Sequence, residues 1–445
     1  MKVSVIGCGY LGAVHAATMA SLGHTVVGLE PDATKVWALA QGLPPFHEPG
    51  LQELVQEGLI SGRLEFTTEP SAVAGSSVHF ICVGTPQAKT AMDADLSQIL
   101  AAIDALLPYL HPGDVVAGKS TVPVGTSELV SRRLEGSGAF LAWNPEFLRQ
   151  GSAVSDSLHP ERIVYGLPSG GNRSRIQTVL DTVYAPLLDG GTPRIVTDWA
   201  TAELIKSAAN AFLAMKLSYI NAVGELCEQV GADVVGLSLA LGLDGRIGAD
   251  YLKAGVGFGG GCLPKDLRSF RVQAKDHGVD SLEELLSLVD GINADARYRA
   301  GESALRMCGG SVVGRRIGVL GAAFKADTDD VRDSPALDIA LQLAAEGAQV
   351  TVSDPRVPEH TWLAYPQLSF VRHAEQALRG AELAMLLTPW PEFVGLDPAE
   401  TALLMSVPRM YDGRNALDPV AWKTAGWEYY GAGRGMALGS VQAAH

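Results

Sequence analysis

The N-terminal residues contain a β-strand, a glycine turn, an α-helix and a second strand in immediate succession. Val3 to Ile6 predicts a short β-branched strand, and the following turn, residues 7–12, reads G-C-G-Y-L-G. An alanine-rich helix runs from this turn to about Leu22, and Thr25 to Leu29 predicts the next strand, which ends in Glu30. A G-x-G-x-x-G turn between a strand and a helix predicts a doubly wound α/β domain with a parallel sheet.

The same turn indicates a dinucleotide cofactor. Its glycines let a pyrophosphate sit on the helix N-terminus, and the Glu30 carboxylate accepts hydrogen bonds from the adenosine ribose. A carboxylate at this position repels a 2′-phosphate, so NAD is favoured over NADP. Lys35 follows in the next helix, where it either weakens that preference slightly or is a solvated helix residue.

Composition and charge restrict the partners. The chain has 445 residues, 47% hydrophobic and 19% charged, which indicates a globular protein of two or three domains. Its net charge of −15 disfavours nucleic acid and anionic membranes as main partners. No apolar run approaches the roughly 20 residues that span a bilayer, and the N-terminus has no secretory pattern, so we expect a cytoplasmic protein without a membrane partner. The five cysteines are an odd number without a C-x-x-C pair, which favours reduced thiols over disulfides and indicates no zinc or other metal site.

Three later strands of the first domain run into polar residues. The predicted strands are Val78 to Val83, Val115 to Gly118 and Phe140 to Trp143. Thr85, Thr121 and Glu146 follow them, and ligands of open parallel sheets bind at the carboxyl ends of strands. These three residues therefore either face the cofactor or serve as turn and cap residues.

A long helix follows the first domain. The stretch from Asp198 to Val230 has no proline and one interior glycine, Gly224. Lys206 and Asn210 lie one turn apart on one face among small apolar residues, which favours a cleft over a solvated stripe. In a cleft they would stabilise an oxyanion or hold a water. So long a helix also suits a domain spine and a dimer interface.

A glycine-rich loop carries the most reactive side chain. Residues 255–266 read G-V-G-F-G-G-G-C-L-P-K-D, and five of the eight residues from Gly255 to Cys262 are glycine. Such a loop lets backbone approach a ligand closely. A cysteine next to a cation is a candidate nucleophile because the thiolate is the reactive form. The alternative is a surface loop with an incidental cysteine.

The C-terminal part repeats the α/β pattern without the glycine fingerprint. A helix is predicted from about Ser281 to Met307. It is followed by a strand from Arg316 to Leu320, a helix from Ala336 to Glu346 and a strand from Gln349 to Ser353, and this last strand ends in an acid, Asp354. We predict a second Rossmann-like domain that binds a different nucleotide. The residues placed for that role are Lys325, Arg332 and, after two further strands near 381–388 and 410–412, Arg414.

Eight motifs in this order resemble those of the UDP-glucose/GDP-mannose dehydrogenase family over essentially the whole chain. They are G-C-G-Y-L-G at 7–12, E-P-G-L at 48–51, K-S-T-V-P-V-G at 119–125, N-P-E-F-L at 144–148, K-x-x-x-N at 206–210, G-F-G-G-G-C-L-P-K-D at 257–266, F-K-x-D-x-x-D-x-R at 324–332 and D-G-R-N at 412–415. Glu30 stands where the family commonly has Asp, and Gln150 stands where it usually has Glu. The first change leaves the NAD prediction intact, and the second puts one cofactor contact in doubt.

The resemblance implies an NAD-dependent four-electron oxidation of C6 of a nucleotide sugar from alcohol to carboxylate, through a thiohemiacetal and a thioester on Cys262. The implied catalytic residues are Cys262, Lys206, Asn210, Asp266, Glu146 and Thr121. The implied NAD contacts are Gly7, Gly9, Leu11, Gly12, Glu30, Lys35, Thr85, Thr121, Lys265 and Arg332. The implied substrate contacts are Glu146, Phe147, Leu148, Lys206, Asn210, Arg246 (toward a partner subunit), Tyr251, Leu252, Lys253, Ala254, Gly255, Gly259, Lys325 and Arg414.

The resemblance also implies three domains and a homodimer. The expected domains are an NAD-binding Rossmann domain at 1–197, a central helical dimerisation domain with the cysteine loop at 198–300, and a nucleotide-sugar-binding Rossmann-like domain at 301–445. UDP-glucose is the favoured substrate, giving UDP-glucuronate, with GDP-mannose and UDP-N-acetylhexosamines as alternatives. A two-electron hydroxyacid-type NAD dehydrogenase and a non-catalytic NAD sensor are the competing functions.

Overall fold

An eight-stranded sheet organises the first part of the chain in this computed structural model, which describes residues 1–87 and 94–435. Its strands are β1 (Lys2–Ile6), β2 (Thr25–Leu29), β3 (Leu64–Thr67), β4 (Val78–Ile81), β5 (Val115–Gly118), β6 (Phe140–Trp143), β7 (Ile163–Leu167) and β8 (Arg194–Asp198). The order is β3-β2-β1-β4-β5-β6-β7-β8, and the β6–β7 pair is antiparallel while the other pairs are parallel. The first six strands thus have the doubly wound order.

Helices cover this sheet, and alternate side chains of its strands enter two separate cores. The helices are α1 (Tyr10–Ser21), α2 (Ala33–Ala40), α3 (Leu51–Ile60), α4 (Ser97–Leu106), α5 (Thr126–Arg133), α6 (Ala153–Leu158), α7 (Arg173–Val183) and α8 (Ala185–Asp189), with short 3₁₀ turns at Pro70–Val73 and Leu107–Tyr109. Val3 and Val5 of β1 pack in one apolar cluster and Ile6 in the other. Burial on both faces explains why these strands are continuous apolar runs.

Four helices follow the first sheet. They are α9 (Trp199–Val230), α10 (Val234–Gly242), α11 (Leu263–Asp276) and α12 (Asp280–Met307). The prediction of one uninterrupted helix ending at Val230 is confirmed. Its interior Gly224 has a packing reason, since a Cβ there would lie 3.4 Å from the Cα of Gly433.

A six-stranded, all-parallel sheet forms the C-terminal part. Its strands are β9 (Arg316–Leu320), β10 (Gln349–Ser353), β11 (Ser369–Val371), β12 (Leu383–Leu386), β13 (Arg409–Asp412) and β14 (Glu428–Gly431). The order β11-β10-β9-β12-β13-β14 repeats the doubly wound order of the first sheet, which confirms the prediction of a second Rossmann-like domain. Its helices are α13 (Pro335–Ala345), α14 (Glu359–Trp362), α15 (Ala374–Leu378), α16 (Pro391–Val394), α17 (Pro398–Ala402) and α18 (Pro419–Thr424).

Strand β12 is shorter than the predicted strand near 381–388. Leu387 and Thr388 both donate their backbone N–H groups to the carbonyl of Leu320, so the chain leaves the ladder there. The apolar sequence continues beyond the strand because the turn is buried as well.

The chain divides into two units by its internal contacts. Unit 1 comprises Met1–Ala209 with Val272–Gly278, and unit 2 comprises Asn210–Arg271 with the chain from Val279 onward. Helices α9 and α11 each contribute residues to both units. Among the described residues, no helix combines the length and apolar character that a membrane span requires.

Candidate active site

The glycine turn between β1 and α1 has the shape that a pyrophosphate needs. Gly7 has φ +87°, and a Cβ at Gly12 would lie 1.8 Å from the Gly7 carbonyl oxygen, so only glycine fits at both positions. A Cβ at Gly9 would meet no atom of the described residues within 4 Å. The backbone N–H groups at the start of α1 are therefore approachable by an anion, and the helix dipole favours one there.

Glu30 holds this turn while keeping its carboxylate beside it. The side chain is 6% exposed, and Oε2 accepts a hydrogen bond from the Cys8 N–H at 2.9 Å. Oε1 accepts from the Asp32 N–H at 3.2 Å and lies 3.7 Å from the Lys35 ammonium. Two carboxylate oxygens have room for further hydrogen bonds, so the residues present fit the ribose of NAD. Lys35 thus lies in α2 as a neighbour of Glu30, and its side chain is 43% exposed.

The three polar residues predicted at strand ends all belong to unit 1. Thr85 is buried, and its hydroxyl donates to the Thr121 carbonyl at 2.8 Å, which ties the loops after β4 and β5 together. The Glu146 carboxylate accepts from the Phe147 N–H at 2.8 Å, and Leu148 packs against the sheet core.

Sequence reasoning missed the partner of Glu146. The Lys119 ammonium lies 3.0 Å from Glu146 Oε2 at a position where the lysine side chain is 3% exposed. Burial acts to raise the pKa of Glu146. Lys119 and the Phe147 N–H act in the opposite direction and outweigh burial, so the pKa lies below its usual value. A lysine directly after a buried strand was the available signal, because a buried ammonium requires a carboxylate or other polar partners.

Lys206 lies in the same unit, on α9. Its ammonium lies 5.3 Å from the centre of the Phe147 ring. Its charge also lowers the pKa of Glu146, although less than the charge of Lys119 does, while burial acts in the opposite direction. The predicted residues Lys206, Phe147 and Glu146 therefore form one group.

Cys262 is exposed and directly precedes helix α11. Its carbonyl accepts from the Asp266 N–H at 2.8 Å, which places Cys262 at the N-cap of a helix of 14 residues. The partial positive charge of a helix N-terminus favours an anion there, and thiolates are among the anions that helix N-termini stabilise.

Three predicted residues of unit 2 are joined by hydrogen bonds and charge. Asn210 donates to Asp266 Oδ2 at 2.6 Å, and the Lys265 ammonium lies 2.6 Å from Asp266 Oδ1. Asp266 is 2% exposed and Asn210 is buried. An asparagine in a helix interior has poor helix propensity, and this charge-assisted hydrogen bond compensates for it.

The glycine loop is held by residues that sequence reasoning did not single out. Asn293 of α12 accepts from the Phe258 N–H at 2.7 Å and donates to the Phe258 carbonyl at 3.0 Å. Arg297 donates to the same carbonyl at 2.6 Å, and Asn221 accepts from the Gly255 N–H at 2.8 Å. An interior asparagine in a long helix was the signal available for Asn293, as for Asn210.

Gly259 packs against backbone. A Cβ at Gly259 would lie 2.0 Å from the carbonyl oxygen of Asp333, so a glycine is required there. Arg332 lies beside Gly261 and forms a two-point ion pair with Asp330, with contacts of 2.6 and 2.9 Å. This ion pair raises the pKa of Arg332.

Arg414 is half-buried and extends toward the same loop. Its guanidinium donates to the carbonyl oxygens of Leu387, Gly257 and Phe324 at 2.7, 3.0 and 3.5 Å. Burial, reinforced by the positive charge of Arg297, lowers the pKa of Arg414 to about 10. A half-buried cation bound to neutral carbonyls is well placed to gain from a nearby anion.

The remaining predicted substrate residues differ in their exposure. Leu252 and Ala254 are buried and Lys253 is exposed, while Tyr251 has φ +61°. The Lys325 ammonium lies 5.8 Å from the centre of the adjacent Phe324 ring. Arg246 has a 90% exposed side chain and pairs with Asp244 of its own chain at 2.6 Å.

The predicted site residues are divided between the two units. Unit 1 contains Gly7, Gly9, Leu11, Gly12, Glu30, Lys35, Thr85, Thr121, Glu146, Phe147, Leu148 and Lys206. Unit 2 contains Asn210, Arg246, Tyr251, Leu252, Lys253, Ala254, Gly255, Gly259, Cys262, Lys265, Asp266, Lys325, Arg332 and Arg414.

Comparison with models of known protein families identifies the family to which this chain belongs. Three domain models of UDP-glucose/GDP-mannose dehydrogenases match the chain: the NAD binding domain at residues 1–188, the central domain at 200–295 and the UDP binding domain at 318–419. The chain belongs to the UDP-glucose/GDP-mannose dehydrogenase family. It is therefore an NAD-dependent dehydrogenase with the family's NAD-binding and UDP-binding domains.

Named relatives of this family member are similar over nearly their full length. A UDP-glucose 6-dehydrogenase of Rhizobium meliloti is 40% identical over 439 residues, covering 98% of this chain and 100% of the relative. The solved structure of a UDP-glucose dehydrogenase from Pyrobaculum islandicum has a TM-score of 0.87 at 36% identity, covering 97% of this chain and 98% of its own. A UDP-D-ManNAc dehydrogenase from Pyrococcus horikoshii has a TM-score of 0.85 at 27% identity, covering 98% of this chain and 100% of its own.

Proposed function

We propose that this dehydrogenase oxidises the C6 alcohol of UDP-glucose to the carboxylate, giving UDP-glucuronate and two NADH. The full-length identity of 40% to a UDP-glucose 6-dehydrogenase carries the proposal of substrate. The thiol at the N-terminus of α11 carries the proposal of a covalent route. NAD, when bound, accepts a hydride in each of the two oxidations.

The first oxidation converts the alcohol to an aldehyde and releases one proton. The Cys262 thiolate then adds to the aldehyde carbon, and the resulting oxyanion takes a proton to give a thiohemiacetal. Holding the aldehyde covalently prevents its escape between the two oxidations. The thiohemiacetal carbon still bears the hydrogen that leaves as hydride in the second oxidation, and the product is a thioester.

Hydrolysis completes the reaction. Water adds to the thioester carbonyl, the C–S bond breaks, and Cys262 leaves as the thiolate while the sugar gains a carboxylate. Lys206 and Asn210 are proposed to stabilise the oxyanion and position the water, since an ammonium and an amide N–H are suitable donors. Asp266, Glu146 and Thr121 are proposed to assist proton transfer, with Asp266 held by Asn210 and Lys265.

Substrate and cofactor are assigned to different parts of the chain. We propose that residues 1–197 bind NAD, residues 198–300 carry the thiol and the dimer contacts, and residues 301–445 bind the nucleotide of the substrate. The half-buried Arg414, whose pKa is lowered by desolvation and by the charge of Arg297, supports an anionic ligand in the last of these. Arg246 remains assigned to a partner subunit's substrate, and its high exposure is compatible with that role.

The assembly proposed is a homodimer built on α9. Phe212, Tyr219 and Leu226 recur at intervals of one heptad, and each is more than half exposed in the single chain. Such a row of apolar side chains on one helix face is typical of a helix–helix interface.

All five cysteines are thiols in the structure, and a thiol nucleophile needs a reducing compartment, so we propose a cytoplasmic location.

A panel of nucleotide sugars tests the substrate. NADH production with UDP-glucose, GDP-mannose and UDP-N-acetylmannosamine should be largest for UDP-glucose and should reach two NADH per sugar. A larger kcat/KM for GDP-mannose or UDP-N-acetylmannosamine would identify that nucleotide sugar as the substrate and leave the proposed chemistry unchanged. One NADH per sugar would favour a two-electron dehydrogenase, and no NADH with any substrate would favour the sensor.

A further inference from the structure

The Lys119–Glu146 pair lies among several polar groups and is not explained by packing alone. Besides Glu146, the Lys119 ammonium donates to Asn144 Oδ1 at 3.1 Å and to the Tyr184 hydroxyl at 3.4 Å. The Tyr184 hydroxyl in turn donates to Asn144 Oδ1 at 2.6 Å, and Asn144 Nδ2 donates to the Val164 carbonyl at 2.9 Å. The ammonium is thus fixed in place by several independent contacts.

Glu146 differs from its partner in exposure. Its side chain is 20% exposed, whereas that of Lys119 is 3% exposed. The carboxylate end of the pair therefore reaches solvent, and the ammonium end lies inside the domain. A buried ammonium has a large influence on a carboxylate 3.0 Å away, since water screens their interaction poorly.

We propose that Lys119 is a positioning residue that keeps Glu146 in its carboxylate form, so that Glu146 acts in the reaction as a proton acceptor. The inference rests on the proposed function, in which Glu146 assists proton transfer. Removal of the positive charge would leave Glu146 protonated at mildly acidic pH, and a neutral carboxylic acid is far too weak a base to accept the proton.

The other groups near the pair do not replace this charge. Burial raises the pKa of Cys82 to about 12 and of Tyr184 to about 12, and burial with the charge of Lys119 lowers the pKa of His15, so all three are neutral near pH 7. Two further cations lie near the pair among the described residues. Lys206 lowers the pKa of Glu146 less than Lys119 does, and burial acts in the opposite direction.

Arg162, the second cation, lies with its guanidinium 4.1 Å from the centre of the Phe147 ring and pairs with Glu161 at 3.4 Å. A cavity of about 30 Å³ adjoins the pair and is lined by His15 and Ser157. Within the described part of the chain, His15 Nε2 and Ser157 Oγ make no hydrogen bond, and the cavity has room for about two waters. Such waters would solvate the pair without supplying a counter-charge.

The test compares Lys119→Met with Lys119→Arg, and uses Tyr184→Phe as a matched control that removes two hydrogen bonds but no charge. The logarithm of kcat with UDP-glucose is measured against pH. For Lys119→Met the pH below which kcat falls should rise by about one to three units, because the carboxylate loses its opposite charge. For Lys119→Arg and Tyr184→Phe this pH should stay near the wild-type value. A kcat that falls by one factor at every pH would contradict the proposal and indicate a structural role only.

A second measurement does not depend on activity. Glu146→Gln should lower the Tm, because it leaves a buried ammonium without its carboxylate, and the double variant Glu146→Gln/Lys119→Met should regain stability. A double variant less stable than Glu146→Gln would contradict the pairing. A wild type that produces no NADH from any nucleotide sugar, together with regained stability in the double variant, would refute the proposed function while leaving the charge pair established.

Discussion

Glu30 has one observed task and one predicted task at the residue scale. One carboxylate oxygen holds the Cys8 N–H of the glycine turn, and the negative charge is predicted to repel a 2′-phosphate. The sequence predicts the second task through the position of the acid after β2. It does not predict the first, because hydrogen bonding to the turn depends on the rotamer and on the close packing of β1 and β2.

Glu30→Gln separates these two tasks. Glutamine keeps an oxygen that accepts from Cys8 but removes the charge, so the fold should survive while the preference for NAD over NADP falls at least about tenfold, the equivalent of roughly 1.4 kcal/mol. The measurement is kcat/KM for both cofactors. Glu30→Ala serves as the comparison, since it removes the charge and also leaves the buried Cys8 N–H without its acceptor. An unchanged NAD/NADP ratio in both variants would show that this carboxylate does not choose the cofactor.

Other residue-scale features depend on contacts between distant parts of the chain. Cys262, Lys206 and Asn210 stand in recognisable local patterns, so the sequence singles them out. Lys119 and Glu146 are 27 positions apart in neighbouring strand-end loops, and only the parallel order of β5 and β6 brings them to 3.0 Å. Local propensity contains no information about such a pair.

At the scale of elements, helix α9 and the glycine loop illustrate opposite degrees of predictability. The bounds of α9 follow from the absence of proline and from its apolar face, so the prediction agrees with the structure to one residue at the start. The glycine loop has no periodicity, and its shape is set by outside groups such as Asn293 and Arg297 of α12. Its glycine content predicts a close approach of backbone but not the partner that approaches.

Gly259→Ala tests that close approach. The added Cβ would lie 2.0 Å from the Asp333 carbonyl oxygen, a backbone atom, so the loop must shift. We expect a loss of stability of about 1–3 kcal/mol, as for other overpacked sites, and a fall in kcat of more than tenfold. Thermal unfolding and steady-state kinetics measure the two effects.

Gly291→Ala is the matched control in the same unit. Gly291 lies in α12, and a Cβ there meets no atom of the described residues within 4 Å, so alanine should raise helix stability without changing kcat. Equal effects of the two substitutions would show that the loop tolerates displacement and that its fit against Asp333 is unimportant.

At the scale of the whole molecule, the sequence predicts two Rossmann-like sheets because each repeats a strand, a helix and a strand ending in an acid. In the second sheet Asp354 accepts from the Ala322 and Ala323 N–H groups at 2.8 and 3.0 Å and from the Trp390 indole at 3.1 Å. This acid is buried, and these three contacts join it to the chain after β9 and after β12. The second domain thus has the strand order of a dinucleotide fold, and its acid is engaged by the protein's own backbone and indole N–H groups.

The homodimer is a prediction at the same scale. Light scattering at micromolar concentration should give twice the mass of one chain. Leu226→Glu, which places a charge in the exposed row on α9, should give the mass of a single chain. Leu363 is 83% exposed and lies outside α9, so Leu363→Glu is the control and should leave the mass unchanged. A single-chain mass for the wild type would contradict a dimer.

The number of NADH molecules released per nucleotide sugar consumed tests the covalent four-electron mechanism most directly. The wild type should release two. Cys262→Ser should bind NAD and substrate nearly as well but release well below one NADH per site in a single turnover, because a serine hydroxyl is a much weaker nucleophile than a thiolate near neutral pH. If Cys262→Ser still turned over with two NADH per sugar at a near wild-type rate, a covalent intermediate on Cys262 would be contradicted.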